Sequence, residues 1–146
     1  MPHYSLKITP QGALIPFRVG VSNPRAGALV AAGQPVPPSI PITGLIDTGA
    51  SCTSIDTTIL RQLAIPSTGQ IQVHTPSTQA SAPHVANLYD ISLVLVHPLI
   101  TRKFDAMPVT ESQLLHQGIQ ALIGRDILKD CFFSYDGSAQ NFVLSF

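Results

Sequence analysis

Proline and glycine interrupt this chain so often that long helices have little room. Thirteen prolines and ten glycines are spread over 146 residues, and a proline inside a helix costs about 3 kcal/mol through its lost donor and its ring clash. The apolar stretches between these breaks are short, which is the rhythm of an all-β domain. Residues 13–22 read as a strand, with Phe17, Val19 and Val21 on one face. Residues 23–39 carry three glycine or proline clusters and end in Pro35, Val36, Pro37 and Pro38, so the expectation there is a long surface loop. Residues 40–46 resume the extended pattern and deliver Asp47 to a glycine turn, which predicts a partly buried acid. Residues 57–64 place Ile59, Leu60 and Leu63 at helical spacing, with Asp56 as N-cap and Pro66 as stop.

Further along, residues 70–74 and 88–97 both alternate, and the small polar segment 75–83 between them predicts a long hairpin spanning about residues 70–97. Residues 104–109 read as a short strand broken by Pro108, residues 111–116 as a helical turn ending at Gly118, and residues 119–123 as an apolar strand into Gly124. A second short helix is expected at 125–130, and residues 131–135 and 141–146 should close the chain as a hairpin across Asp136 and Gly137.

The length suits one domain, residues 1–146, able to bury roughly 70% of its unfolded surface. Eight basic and eight acidic residues leave no net charge, so no long-range field draws nucleic acid or an anionic membrane. No apolar run approaches the eighteen or so residues of a spanning helix. The first residues lack the pattern of a secretory signal, which makes a cytoplasmic location the expectation. In that reducing setting Cys52 and Cys131 read as two buried thiols rather than a disulfide. His3, His74, His84, His97 and His116 match no metal-binding spacing, and neither a metal nor an organic cofactor is expected.

The chemistry concentrates in Asp47-Thr48-Gly49-Ala50-Ser51, preceded by Gly44-Leu45-Ile46 and answered some way along the chain by Leu122-Ile123-Gly124-Arg125-Asp126. Taken alone, Asp47 reads as a turn residue capping its own backbone. The two segments together resemble the retropepsin-like aspartic proteases, whose hallmark is an apolar strand into Asp-Thr-Gly-Ala and a later apolar pair before a glycine and a helix. The likeness spans residues 13–146, and several bacterial retropepsin-like sequences share the Thr75-Pro76-Ser77 segment as well.

The resemblance implies an all-β, retropepsin-like closed barrel with one or two short helices, acting as a homodimer that meets through its termini and its Asp47 loops. Carboxylate-driven peptide hydrolysis needs two acids sharing a proton across a water, and this chain carries a single Asp-Thr-Gly. The implied catalytic residues are Asp47, Thr48 and Gly49. Thr48 would interlock with the opposite subunit, and Gly49 would let backbone approach the substrate. Ala50 replaces the serine of two-lobed relatives, which implies a less acidic pH optimum. Ala50, Ser51, Thr75, Pro76, Ser77 and Thr78 are the expected substrate-binding residues, the last four on a flap that closes over an extended peptide. Viral flaps are glycine-rich, whereas this tip has two prolines and no glycine. Gly124 would let the apolar strand pass beneath the Asp47 loop, and Arg125 and Asp126 would anchor the following helix. Many viral members carry an aspartate where Ser51 stands, which leaves the partner of Arg125 open. The competing reading is a catalytically weak module of the same fold that binds peptides as a scaffold.

Overall fold

The computed structural model describes residues 1–74 and 84–146. Among these described residues, ten strands and three α-helices follow in the order β1 (His3–Lys7), β2 (Leu14–Val21), α1 (Asn23–Ala31), β3 (Ile40–Ile46), β4 (Ser54–Asp56), α2 (Thr57–Gln62), β5 (Gly69–Val73), β6 (His84–Val96), β7 (Thr101–Ser112), β8 (Ala121–Ile123), α3 (Arg125–Leu128), β9 (Phe132–Asp136) and β10 (Asn141–Ser145). A 3-10 turn, Leu115–Gln117, lies between β7 and β8.

Seven strands form one sheet in the order β2-β3-β8-β4-β7-β6-β5, and β2 pairs with β6 as well. That last pairing closes six strands into a barrel and leaves β5 attached outside β6. Closure removes most of the exposed edges that a flat sheet would present. Two of the pairings are parallel, β3 with β8 and β4 with β7. The remaining strands form a terminal sheet, β1-β10-β9, antiparallel throughout. One apolar cluster draws on both sheets: Ile15, Phe17, Val19, Ile55, Ile91, Leu93 and Ile123 from the barrel, Tyr4, Phe142 and Leu144 from the terminal sheet. The fold is an all-β closed barrel with short helices, as expected from the sequence. No helix among the described residues is long and apolar enough to cross a membrane.

Several elements differ from the expectation, each for a physical reason. Segment 23–39 is not all loop, because α1 occupies its first half. Ser22 caps the helix by accepting from the Arg25 N–H at 3.4 Å, Pro24 fits the first turn, and Gly33, at φ +67°, turns the chain out at the other end. None of its residues is buried, so capping and the alanine content carry the helix rather than an apolar stripe.

Strand β7 runs straight through Pro108 to Ser112, where a break and a helical turn were expected. Pro108 faces Asp90 of β6, but β4 reaches only Thr110 to Ser112, so the missing donor falls where β7 has one neighbour. The polar Thr110, Glu111 and Ser112 stay extended because β4 pairs with all three, and β6 also pairs with Thr110. The terminal strand β1 has no counterpart in the sequence reading. Cys52 and Cys131 are both free thiols, half-buried rather than fully buried. The hairpin of β5 and β6 is present, and the expected flap tip, residues 75–83, lies outside the described residues.

Candidate active site

Strand β3 buries Ile42, Gly44 and Ile46 and ends at Asp47, which is half-buried. A side chain at Gly44 would lie 2.7 Å from the Phe17 ring, so glycine lets β2 and β3 pack at this level. The register of β3 on β8 continues past the strand end: the Asp47 N–H donates to the Ile123 carbonyl at 3.0 Å. The parallel pairing of Gly44, Leu45 and Ile46 with Ala121, Leu122 and Ile123 thus brings the two halves of the sequence motif side by side.

The loop is then tied down from within and from below. The Gly49 N–H donates to Asp47 Oδ1 at 2.9 Å, and the Ala50 N–H to the Asp47 carbonyl at 3.2 Å. A Cβ at position 49 would sit 3.1 Å from the same carboxylate oxygen and press it aside. From below, Arg125 Nη1 donates to the Thr48 carbonyl at 2.8 Å and to the Gly49 carbonyl at 3.2 Å. The Arg125 N–H donates to the Ala50 carbonyl at 2.9 Å. Arg125 therefore takes backbone carbonyls of the Asp47 loop as its partners and makes no hydrogen bond to Ser51. Thr48, Gly49 and Ser51 are exposed, while Ala50 and Cys52 are half-buried.

Gly124 is buried, and a Cβ there would fall 2.6 Å from the Cys52 carbonyl carbon and 2.7 Å from its oxygen. No side chain fits that gap without moving backbone. Asp126 serves the loop as well as its own helix. It accepts from the Thr53 N–H at 2.8 Å, from the Thr53 hydroxyl at 2.7 Å, and from the Ile127 N–H at 2.9 Å. The Thr53 oxygen in turn accepts from the Gly124 N–H at 3.1 Å. Thr53, fully buried, thus joins the two motif segments, and sequence reasoning missed it. The available signal was a buried-type threonine directly after the Asp47 turn, facing an acid just beyond Gly124.

An open cleft of about 570 Å³ lies over Asp47. Its walls are the 47–52 loop, Ser54, Leu122 and Arg125 on one side and Val73, His74, His84 and Ala86, at the base of the β5–β6 hairpin, on the other. Thr75, Pro76, Ser77 and Thr78 lie outside the described residues. Glu111 is the other acid lining the cleft, and both of its oxygens are engaged: Asn87 Nδ2 donates to one at 2.6 Å and the Tyr89 hydroxyl to the other at 3.1 Å. Burial, together with the Glu111 charge and hydrogen bond, raises the Tyr89 hydroxyl above its ordinary value, which keeps it a proton donor to Glu111.

Asp56 sits behind the cleft in a different role. Its carboxylate accepts from the Thr58 N–H at 2.8 Å, capping α2, and from the Leu114 and Leu115 N–H groups at 2.7 and 3.1 Å. Burial alone would raise this acid, but the three backbone donors outweigh it and hold the carboxyl below its ordinary range. The cap predicted for Asp56 is present and also fixes the chain leaving β7.

Comparison with known proteins supplies the family. The solved structure of a retropepsin-like aspartic protease from Rickettsia conorii superposes with a TM-score of 0.57 at 16% identity, covering 99% of this chain and 90% of that one. At that identity the likeness shows the fold. A search of curated proteins finds no match. Residues 2–134 match the family described as retroviral aspartyl protease. The chain belongs to the retroviral aspartyl protease family, and the family and the fold together support aspartic protease activity.

Proposed function

We propose that this protein is an aspartic endopeptidase whose active form is a homodimer, with Asp47 of each copy facing the other across a two-fold axis. All 146 residues would serve as one protease domain. The observation that carries the reading is the single available acid in the cleft. The Asp47 carboxylate reaches it bonded only to the N–H of Gly49 among the described residues, whereas the Glu111 carboxylate is tied back by Asn87 and Tyr89. One carboxylate cannot act as base and acid in the same step, so the second must come from another copy.

Two carboxylates brought to about 3 Å cannot both ionise cheaply, so their proton affinities split. The ionised member takes a proton from the water held between them, and the protonated member gives one to the peptide carbonyl oxygen. Attack of that water at the carbonyl carbon forms the tetrahedral intermediate, and proton return to the amine expels the leaving group. Thr48, exposed beside Asp47, would interlock with the partner's loop, and Gly49 would admit substrate backbone. Arg125 would keep both loops in shape by holding the Thr48 and Gly49 carbonyls. Substrate would lie extended along Ala50 and Ser51 on one side and Thr75, Pro76, Ser77 and Thr78 on the other. No metal or organic cofactor has a part in these steps. The free Cys52 and Cys131 agree with a reducing, cytoplasmic location.

The test is cleavage of a diverse peptide library by the wild-type protein and by Asp47→Asn. Loss of at least about a thousandfold in rate is expected from removing the shared acid–base pair, together with inhibition of the wild type by a hydroxyl-containing transition-state mimic. Cleavage by Asp47→Asn at the wild-type rate would overturn the proposal. Peptide binding without turnover by both proteins would leave the scaffold reading in its place.

A further inference from the structure

Strands β8, β4 and β7 lie side by side beneath the cleft, and their register sets Leu122, Ser54 and Thr110 in one row. Directly opposed residues share a face of a sheet. Their chain neighbours Ile55, Val109, Ala121 and Ile123 are fully buried in the core, so the two-residue period of a strand turns the row the other way. All three residues line the cleft that holds Asp47. Leu122 and Ser54 are half-buried, and Thr110, 3% exposed, lies deepest. Ser112, two positions along β7 on the same face, lines the cleft as well. This part of the cleft therefore sets three hydroxyls beside one aliphatic side chain.

Ser54 Oγ and Thr110 Oγ1 lie 2.7 Å apart, and neither hydroxyl makes another hydrogen bond among the described residues. A buried O–H without an acceptor loses the bond it had to water in the unfolded chain, so Thr110 donates and Ser54 accepts. The Ser54 proton is thereby left for the cleft. Ser112 is bonded through its carbonyl, which accepts from the Thr57 hydroxyl at 3.4 Å, and its own hydroxyl is uncommitted among the described residues. The row thus offers one oriented donor, from Ser54, and one hydroxyl free to accept, from Ser112.

We propose that these hydroxyls form a subsite for a carboxamide side chain of the substrate, Asn or Gln, and that Ser54 is the residue that selects it. The inference rests on the reading that this cleft takes an extended peptide. The carboxamide oxygen accepts from the Ser54 hydroxyl, its NH2 group donates to the Ser112 hydroxyl, and its methylene stem packs on Leu122. A leucine, close to asparagine in shape, would strand the Ser54 proton away from water. A carboxylate brings no donor and an ammonium no acceptor, and each sheds its hydration on entry. Sites built to hydrogen-bond a substrate group discriminate against the analogue that lacks it, because their own polar atoms are then left unpaired.

Two selections from one diverse peptide library test this, the first by cleavage with the wild-type protein and the second by capture on the Asp47→Asn protein, which needs no turnover. One position of the selected peptides is expected to be enriched in Asn or Gln. For two peptides that differ only by Asn or Leu at that position, kcat/KM in the first case and affinity in the second should favour Asn at least about tenfold. Ser54→Ala is expected to bring the two peptides within about threefold of each other, and Ser54→Thr, which keeps the hydroxyl, to retain the preference. The ratio is taken within each variant, so a change in its stability cancels. Absence of a carboxamide position from both selections, or a preference that survives Ser54→Ala, would overturn the proposal. Capture of carboxamide peptides that depends on Ser54, beside a wild type that cleaves nothing, keeps the subsite and refutes the peptidase reading. A wild type that turns over the Asn and Leu peptides equally does the reverse.

Discussion

Replacing Thr53 by Val isolates the contact that locks the two motif segments together. The side chains are nearly the same size, so the barrel keeps its shape while the hydroxyl disappears. Two interactions go with it. The hydroxyl donates to Asp126 Oδ1 at 2.7 Å, and a hydrogen bond to a charged group contributes about 1.5–3 kcal/mol. The same oxygen accepts from the buried Gly124 N–H at 3.1 Å, and stranding that donor costs about 1–3 kcal/mol more. Asp126 keeps the Thr53 and Ile127 N–H groups, which limits the damage, so the expected loss is about 3–5 kcal/mol. Set against a typical stability of about 5–15 kcal/mol, this is a large fraction, and it corresponds to a fall in Tm on the order of 10 °C. Urea unfolding at fixed protomer concentration measures it, followed by tyrosine fluorescence because the chain has three tyrosines and no tryptophan. Thr53→Ser retains the hydroxyl and gives up one methyl group, for about 1 kcal/mol. A loss below about 1 kcal/mol for Val, or equal losses for Val and Ser, would refute the assignment of the lock to the hydroxyl.

Gly124→Ala forces a methyl group to within 2.6–2.7 Å of the Cys52 carbonyl; a destabilisation of about 2–4 kcal/mol in the same urea assay is expected from overpacking against backbone. Arg125→Gln removes the clamp on the Thr48 and Gly49 carbonyls at an exposed position. Peptidase kcat should fall at least about tenfold while urea stability changes by less than about 1 kcal/mol. Asp56 has its carboxyl held below the ordinary value of 3.8, so its stabilisation is complete above that value and disappears as pH falls through the lower, folded one. Wild-type stability, measured from about pH 5 down to about pH 2, should therefore fall more steeply than that of Asp56→Asn, and parallel curves would refute it.

Local chemistry made part of this molecule legible in advance. Strand β2 shows its buried face by alternation, the helix after Asp56 shows its cap and its apolar spacing, and the turn at Asp47 shows itself through Gly49. Each of these signals lies within a few residues of its consequence. Helix α1 was also written locally, in Ser22, Pro24 and Gly33, but the proline cluster that follows it suggested a loop throughout. The polar end of β7 could not be recognised in this way. Thr110, Glu111 and Ser112 lack strand alternation and are extended because β4 pairs with them, an override of intrinsic preference by tertiary context.

The same division runs through the candidate site. By itself the sequence determined which groups could do chemistry: one acid in a glycine turn, an answering glycine, arginine and acid after an apolar strand, and no metal-binding spacing. Only the tertiary structure decided how they meet. The parallel pairing of β3 with β8 sets Gly124 beneath Cys52, turns Arg125 onto the Thr48 and Gly49 carbonyls rather than toward Ser51, and enlists Thr53 as the link to Asp126. The physical reason is that these contacts join residues more than seventy positions apart. No neighbouring residue along the chain constrains such partners, and sheet register chooses them once the barrel closes.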